Sequence, residues 1–188
     1  MRYCVSLPSI SLYLLIGLLV AGCGQSDRSD YGFSINDVSV NRAYQSLDIR
    51  LQQHLELSQQ AQQALEHGVT LTINLDLELR NDNNMIVMRR DARRFQLRYL
   101  PLSERYQLSE EDSDELQSFS RLRHVLAAID NLNVHLATGP LPPGNYELRT
   151  RIRLDESRLP APMQLPALFS SQWQHDSEWS VWPFKVSV

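Results

Sequence analysis

Apolar and polar residues alternate along several stretches of the chain, which is the pattern of β-strands with one face in a hydrophobic core. The longest stretch is Val69 to Arg80, where Leu and Ile at odd positions are separated by Thr, Asn, Asp, Glu and Arg. Shorter alternation occurs from Leu47 to Gln52, and another long case, Tyr146 to Leu154, follows a Pro-Pro-Gly turn. Such alternation predicts an antiparallel sheet whose polar face meets water.

Two further segments extend this predicted sheet. Residues 81–84 read Asn-Asp-Asn-Asn and predict a turn, because these side chains tolerate left-handed backbone. A second strand is then expected to return from Ile86 to Tyr99. Bulky residues near the end of the chain predict closing strands at the edge of the core. These residues are Phe169, Trp173, Trp179, Val181, Trp182 and Phe184.

Two segments predict helices. Ser58 can cap a helix from Gln59 to His67, which Gly68 can end in a left-handed conformation. Ser113 can cap a longer helix through Ile129, because apolar residues from Leu116 onward mostly recur every three positions. The expected fold is mainly β within the α+β class: an antiparallel β-sandwich or strongly curved sheet with two packed helices. A barrel is the second alternative.

The first residues predict export. Arg2 precedes an apolar run that is densest from Leu12 to Ala21, which is the order of a secretory signal peptide and is short for a membrane span. The run ends in Val-Ala-Gly-Cys at Cys23, which resembles a bacterial lipobox. We therefore expect a signal peptide over residues 1–22, lipid attachment at Cys23, a tether over 23–34 and one domain over 35–188.

The anchor also indicates a location. Cys4 would leave with the signal peptide and Cys23 would be alkylated, so the mature chain would hold no free thiol. Gly24 follows the lipidated cysteine, whereas an aspartate there commonly retains lipoproteins in the inner membrane. We expect a lipid-anchored protein on the outer membrane that faces the periplasm, with the inner membrane as the alternative.

Composition excludes several classes of protein. The 188 residues are 43% hydrophobic and 21% charged, with a formal net charge of −4. These values fit a globular domain and argue against a collagen-like chain or a basic nucleic-acid binder. Two cysteines exclude a disulfide-dense scaffold.

The sequence contains no strong catalytic or metal-binding motif. The five histidines lack H-x-x-x-H spacing and are expected at the surface or rim, and the acidic run 110–115 lacks the central glycine of a calcium loop. Ser170 and Ser171 lie near His175 and Asp176, but a triad is defined by geometry rather than by closeness along the chain. We expect no cofactor and assign no catalytic or metal-binding residue.

Arginine clusters in two of the predicted strands, although the chain contains a single lysine, Lys185. Arginine binds carboxylates and phosphates through two parallel hydrogen bonds, so these side chains could meet an acidic partner or a lipid headgroup. The alternative is cross-strand pairing with Asp48, Asp76, Glu78 and Glu147. The candidate partner surface comprises Arg89, Arg90, Arg93, Arg94, Arg98, Arg149, Arg151 and Arg153.

Short motifs follow one another along the domain. In order they are His67-Gly68-Val69, Phe95-Gln96-Leu97-Arg98-Tyr99, Arg105-Tyr106, Ser118-Phe119, Leu141-Pro142-Pro143-Gly144 and Trp182-Pro183-Phe184. From about Val38 to Phe184, this succession resembles the proteobacterial family called domain of unknown function 4390. The resemblance implies an envelope-bound or secreted domain with no assigned activity or catalytic residues. It also implies a link to a membrane histidine kinase of the nitrogen-regulation type.

Three hypotheses of function follow. The first is a non-enzymatic envelope lipoprotein that binds another envelope protein, with the sensor kinase as a candidate, through the arginine-rich strands. The second is a carrier of a lipid or other apolar ligand between the sheet and the long helix. The third is an enzyme, which would need a cleft that joins titratable groups distant in sequence.

Overall fold

The computed structural model describes residues 31–187, which form nine strands, three α-helices and two short 3₁₀ turns. The expected signal peptide, the lipidation site Cys23 and most of the expected tether lie outside these residues. Strand β1 begins at Gly32, so the last three residues of the expected tether belong to a strand.

The strands form two antiparallel sheets. The smaller sheet consists of β1 (Gly32–Arg42), β2 (Ser46–Glu56) and β7 (Asn131–Ala137), in that spatial order. The larger sheet contains β3 (Leu71–Asn81), β4 (Val87–Leu100), β5 (Arg105–Glu110), β6 (Leu116–Phe119), β8 (Gly144–Leu154) and β9 (Ser180–Val186). Its spatial order is β6-β5-β4-β3-β8-β9. The helices are α1 (Gln59–Glu66), α2 (Leu122–Asp130) and α3 (Ala161–Phe169).

The inner faces of both sheets share one hydrophobic core, which confirms the α+β sandwich prediction. Strand β2 contributes Leu47, Ile49 and Leu51, and the central strand β3 contributes Leu71 through Leu79 at every second position. Thr150 of β8 is buried among them, and its hydroxyl accepts a hydrogen bond of 2.9 Å from the indole N–H of Trp182. The core therefore contains a polar side chain whose hydroxyl is hydrogen-bonded.

The polar face of β3 differs from its prediction, since much of it is buried rather than exposed to water. Thr72, Asn74 and Glu78 are buried. The cause is the central position of β3, because arginines on both neighbouring strands stand opposite Asn74 and Glu78, and Gln96 stands opposite Thr72. Alternation correctly predicts the strand, but it does not predict how far the polar face is covered.

Helix α1 confirms its predicted signals. The hydroxyl of Ser58 accepts a hydrogen bond of 3.1 Å from the backbone N–H of Ala61, which is the expected N-cap. Gly68 follows the helix with φ of +89°, a left-handed conformation that suits glycine. Ala61 and Leu65 bury the narrow apolar face of the helix.

The long helix predicted from Ser113 is wrong in its first half. Leu116–Phe119 forms β6, an edge strand that pairs with β5, and α2 begins only at Leu122. The Ser113 hydroxyl accepts from the N–H of Glu115, which makes a local turn instead of a helix cap. A spacing of three between apolar residues is shared by this strand–helix pair and by a continuous helix, so the pattern alone did not separate them.

The end of the chain also departs from its prediction. Phe169 ends α3 and is 87% exposed, and Trp173 lies buried in a 3₁₀ turn, so neither belongs to a closing strand. Val181, Trp182 and Phe184 do form the predicted strand, β9. Helix α3 was not expected, because Pro162 and Pro166 lie within its nine residues.

Strand directions define two ends of the sandwich. We call the end at which β1 and β3 begin and β8 ends the N-terminal end. Tyr31 lies there, with its ring centroid 5.4 Å from that of His175. The opposite end carries the β1–β2 turn with Tyr44 and the β3–β4 turn with Met85. Within residues 31–187 no helix has the length and apolarity needed to cross a membrane.

Candidate functional site

The register of the larger sheet decides which arginines share a face. Glu78 of β3 stands opposite Arg90 of β4 and Arg149 of β8. Alternation along β4 and β8 then places six arginines of the predicted surface on the outer face, which turns away from the smaller sheet. These six are Arg90, Arg94, Arg98, Arg149, Arg151 and Arg153.

Arg89 and Arg93 do not join that face. They stand opposite Leu79 and Leu75, so their side chains leave the sheet on its inner side near the start of β4. Arg93 contacts Glu110 at 3.0 Å and Asp91 at 3.4 Å. Burial opposes the charge of the Arg93 guanidinium, but these two carboxylates outweigh it and raise its pKa. The predicted surface is therefore divided between two faces.

Most outer-face arginines are paired with carboxylates of the same chain. Arg153 approaches Asp76 at 3.3 Å, and Arg90 approaches Glu78 at 3.6 Å. Glu78 is also hydrogen-bonded by Arg80 at 2.5 Å. The cross-strand pairing that the sequence offered as an alternative is thus present for Asp76 and Glu78. Asp48, which was also considered, lies in the smaller sheet and contacts His135 instead.

The remaining pairs tie the sheet to loops. Arg151 forms a bidentate pair with Asp176, and Arg94 shares Glu111 with Arg158. Burial alone would raise the pKa of Asp176, but hydrogen bonds from Arg151 and from the N–H of Glu178 lower it. The hydrogen bonds from Arg94 and Arg158 likewise lower the pKa of Glu111.

The same balance appears at the edge of the buried polar face of β3. The side-chain amide of Asn74 donates to Asp155 at 2.9 Å. Burial opposes ionisation of Asp155, but hydrogen bonds from Ser157 and Asn74 lower its pKa below the usual value. The carboxylates that border this face therefore stay ionised at neutral pH and hold the loops against the sheet.

Two arginines of the outer face have no carboxylate within salt-bridge distance among the described residues. Arg98 is exposed, and Arg149 places its guanidinium carbon 5.0 Å from the ring centroid of Trp179. That distance falls within the range of a cation–π contact. Trp179 was predicted to belong to a closing strand at the edge of the core, but it precedes β9, which begins at Ser180. The alternation of β9, with Trp182 and Phe184 on the inner face, could have placed Trp179 on the outer face.

An open cleft lies on this outer face. It has a volume of about 590 Å³ and runs across β3 and β4 as far as Trp179. Asp76 and Glu78 form its floor, and Arg90 and Arg94 border it on the β4 side. Both signs of charge and one indole thus face the same space, an arrangement that can hold a ligand with polar, charged and apolar groups.

The serine–histidine combination considered from sequence is not assembled. His175 is buried, which corrects the expected surface position, and its Nε2 accepts from the N–H of Ser58 at 2.9 Å. Burial lowers the pKa of His175 and favours the neutral ring. Asp176 pairs with Arg151, and the Ser170 hydroxyl donates to Gln60 at 3.3 Å. No group of three or more potential metal-ligating side chains occurs within residues 31–187.

Comparison with known proteins gave one match. The searches of curated proteins and of solved structures returned no match. A family model described as "Domain of unknown function (DUF4390)" matches residues 30–183, which is most of the chain and nearly all of the described domain. The matched range also agrees with the resemblance that the order of sequence motifs suggested. This chain therefore belongs to the DUF4390 family.

Proposed function

We propose that this protein is an envelope lipoprotein, anchored through Cys23, that has no catalytic role and binds a segment of another envelope protein on its outer sheet face. The cleft beside Trp179 carries the proposal. Arginine and tryptophan are enriched where protein interfaces concentrate their binding energy. In the proposed location the domain faces the periplasm from the outer membrane, with the inner membrane as the alternative.

The mixed lining of the cleft favours a polypeptide over a simple anion. Arg90 and Arg94 lie beside carboxylates, so a phosphate or lipid headgroup would compete with pairs that already exist. A protein segment can instead offer an apolar side chain to Trp179 in the cleft and a carboxylate to Arg98, which lies on the same face outside the cleft. The extracytoplasmic part of a sensor histidine kinase, which the sequence resemblance suggested, is the first partner to test.

Photo-crosslinking from a defined position tests the binding face. We expect Arg98→benzoylphenylalanine to form an adduct with one envelope protein in living cells, because this exposed side chain lies on the outer face. The matched control is Tyr44→benzoylphenylalanine, because Tyr44 is 82% exposed in the β1–β2 turn, at the end of the sandwich opposite the N-terminal end. The same adducts from both positions, or none from position 98, would contradict the proposed face.

The anchor needs its own measurement. Intact mass of the mature protein from its native membranes should correspond to a chain that begins at Cys23 and carries acyl groups, and globomycin should block its maturation. A mature chain that begins elsewhere, or one with an unmodified first residue, would remove the anchor from the proposal. The outer sheet face would still be open to test by crosslinking.

A second candidate function, the apolar-ligand carrier, has one observation in its favour. A cleft of about 400 Å³ lies between the end of β2 and helix α2, and Leu55, Leu57, Leu122 and Leu126 contribute apolar groups to it. Native mass spectrometry of protein extracted in mild detergent should then detect a bound lipid that Leu126→Trp excludes. A spectrum without bound lipid in the unaltered protein would count against this function.

A further inference from the structure

Helix α3 presents an unpaired apolar surface to solvent. Phe169, Leu165 and Leu168 are 87%, 69% and 57% exposed, and no residue of the helix is charged. Gln164 is the single polar side chain of the helix, and its amide is directed to the backbone carbonyls of Ser157 and Leu159. The outward face therefore consists of hydrocarbon, and several large exposed apolar groups on one helix usually mark a contact surface.

The inner side of the same helix is fixed to the domain. Ala167 is fully buried, and Met163 packs against the hydrophobic core. The 3₁₀ turn that follows α3 buries Trp173, and the hydroxyl of Ser58 donates to the carbonyl of Gln172 at 2.5 Å. The exposed side chains are thus held outward on a supported helix.

Helix α3 lies at the N-terminal end of the sandwich. Five residues separate Phe169 from His175, and three of them form the 3₁₀ turn Ser171–Trp173, which shortens that distance. The His175 ring lies 5.4 Å from the ring of Tyr31 and 5.2 Å from that of Phe33, measured between centroids. The apolar helix and the first described residue of the chain therefore lie at the same end of the domain.

The length of chain before Tyr31 limits which end of the domain can reach a membrane. Cys23 precedes Tyr31 by eight residues, which span at most about 28 Å when fully extended. Strands β1 and β3 each contain eleven residues, and a strand of that length extends over about 36 Å. If Cys23 is held in the bilayer, the end near Tyr31 and α3 is the end that reaches it.

We propose that helix α3 lies in the membrane–water interface, with Leu165, Leu168 and Phe169 inserted among the acyl chains, and that it fixes the orientation of the lipid-anchored domain. This inference rests on the proposed anchor at Cys23. Because α3 carries no charge, the contact requires no anionic lipid and resists salt. The opposite end, with the exposed Tyr44 and Met85, then points away from the bilayer.

A depth measurement on the lipidated protein tests this orientation. The mature protein, with Cys23 acylated, would carry Phe169→Cys as its single free thiol, labelled with a polarity-sensitive fluorophore. In vesicles of phosphatidylcholine and phosphatidylethanolamine, a nitroxide on the lipid should quench this label, and 0.5 M salt should not restore its fluorescence. Tyr44→Cys is the matched control, and its label should respond to aqueous iodide but not to the lipid nitroxide.

A second variant separates insertion from simple proximity. Leu165→Gln with Leu168→Gln, made in the Phe169→Cys background, should abolish quenching by the lipid nitroxide. Circular dichroism should not change, since both side chains are more than half exposed. Acylated protein whose label at position 169 is open to iodide would overturn the inference and leave the anchor intact.

Two other results would also overturn it. The label at position 169 could be protected from both the lipid nitroxide and iodide. If that protection increased with the density of protein on the vesicles, a second copy of the chain would cover α3. An unmodified Cys23 in the intact mass would remove the anchor and, with it, this orientation.

Discussion

The outer face of the six-stranded sheet is charged and largely paired, whereas the outward face of α3 is uncharged and unpaired. On the sheet, Glu78 is 6% exposed and contacts two arginines, so a polar group is covered by its own partners. On the helix, Phe169 is 87% exposed and nothing in the described residues covers it. A dense cluster of charged side chains can therefore be paired within one chain. The exposed apolar side chains of a short helix have no such partner and can be covered by a membrane or by another molecule.

The largest expected difference is between apolar side chains inside and outside the core. Leu75→Ala should lower the free energy of unfolding by about 3 kcal/mol, because the side chain is fully buried in the central strand and leaves a cavity. Leu165→Ala should change it by less than about 0.5 kcal/mol. Urea unfolding of the two variants checks this, and a comparable loss for Leu165→Ala would show that α3 packs against something in the free domain.

The buried carboxylate of the outer face should have the next largest effect. Glu78→Gln should cost about 2 kcal/mol, because Arg80 loses a charged partner at a buried position of the sheet. Glu147→Gln is the control, since Glu147 lies on the same face without an ion pair among the described residues. Equal unfolding energies for the two variants would mean that the pairing around Glu78 contributes little to stability.

The Asp176–Arg151 pair predicts a dependence on pH. Asp176→Asn should cost about 1 kcal/mol at pH 7, since a partly exposed bidentate pair contributes at the upper end for surface ion pairs. Because the pKa of Asp176 is lowered in the folded state, its contribution is present above the ordinary value of 3.8 and is lost as pH falls through the folded value.

The difference in free energy of unfolding between the unaltered protein and Asp176→Asn should therefore shrink as pH decreases from 5 to 3. Urea unfolding along this series measures it, and Asp37→Asn, at an exposed position, is the control. A constant difference across the series would exclude an ionised pair.

The two faces also differ in how far sequence can predict them. Alternation correctly predicts β3 and β8, because a strand with one buried face must repeat every second residue. The arginine surface was predicted only as a group of residues. The pairs Arg151–Asp176 and Arg94–Glu111 depend on loops that return to the sheet, and the spacing of residues in the sequence does not predict such a return.

Helix α3 and strand β6 show a second reason why sequence patterns did not predict part of the structure. Prolines and a wholly apolar composition hide α3 from criteria based on amphipathic periodicity, and β6 shares its apolar spacing with a helix. Four residue pairs with β5 make Leu116–Phe119 a strand, and such pairing between separate segments is not visible in the local spacing of apolar residues.

The smallest expected effect concerns the contact between Arg149 and Trp179. A double-mutant cycle with Arg149→Gln and Trp179→Leu should give a coupling energy of about 0.5 kcal/mol, the usual size of an exposed cation–π contact. Arg98→Gln combined with Trp179→Leu should be additive. The cation–π contact of Trp179 is with Arg149 on β8, and Arg98 lies on β4, two strands away from Arg149. If the Arg149 cycle is additive too, Trp179 is not held by the sheet, and the cleft it borders would have to be formed by the bound partner instead.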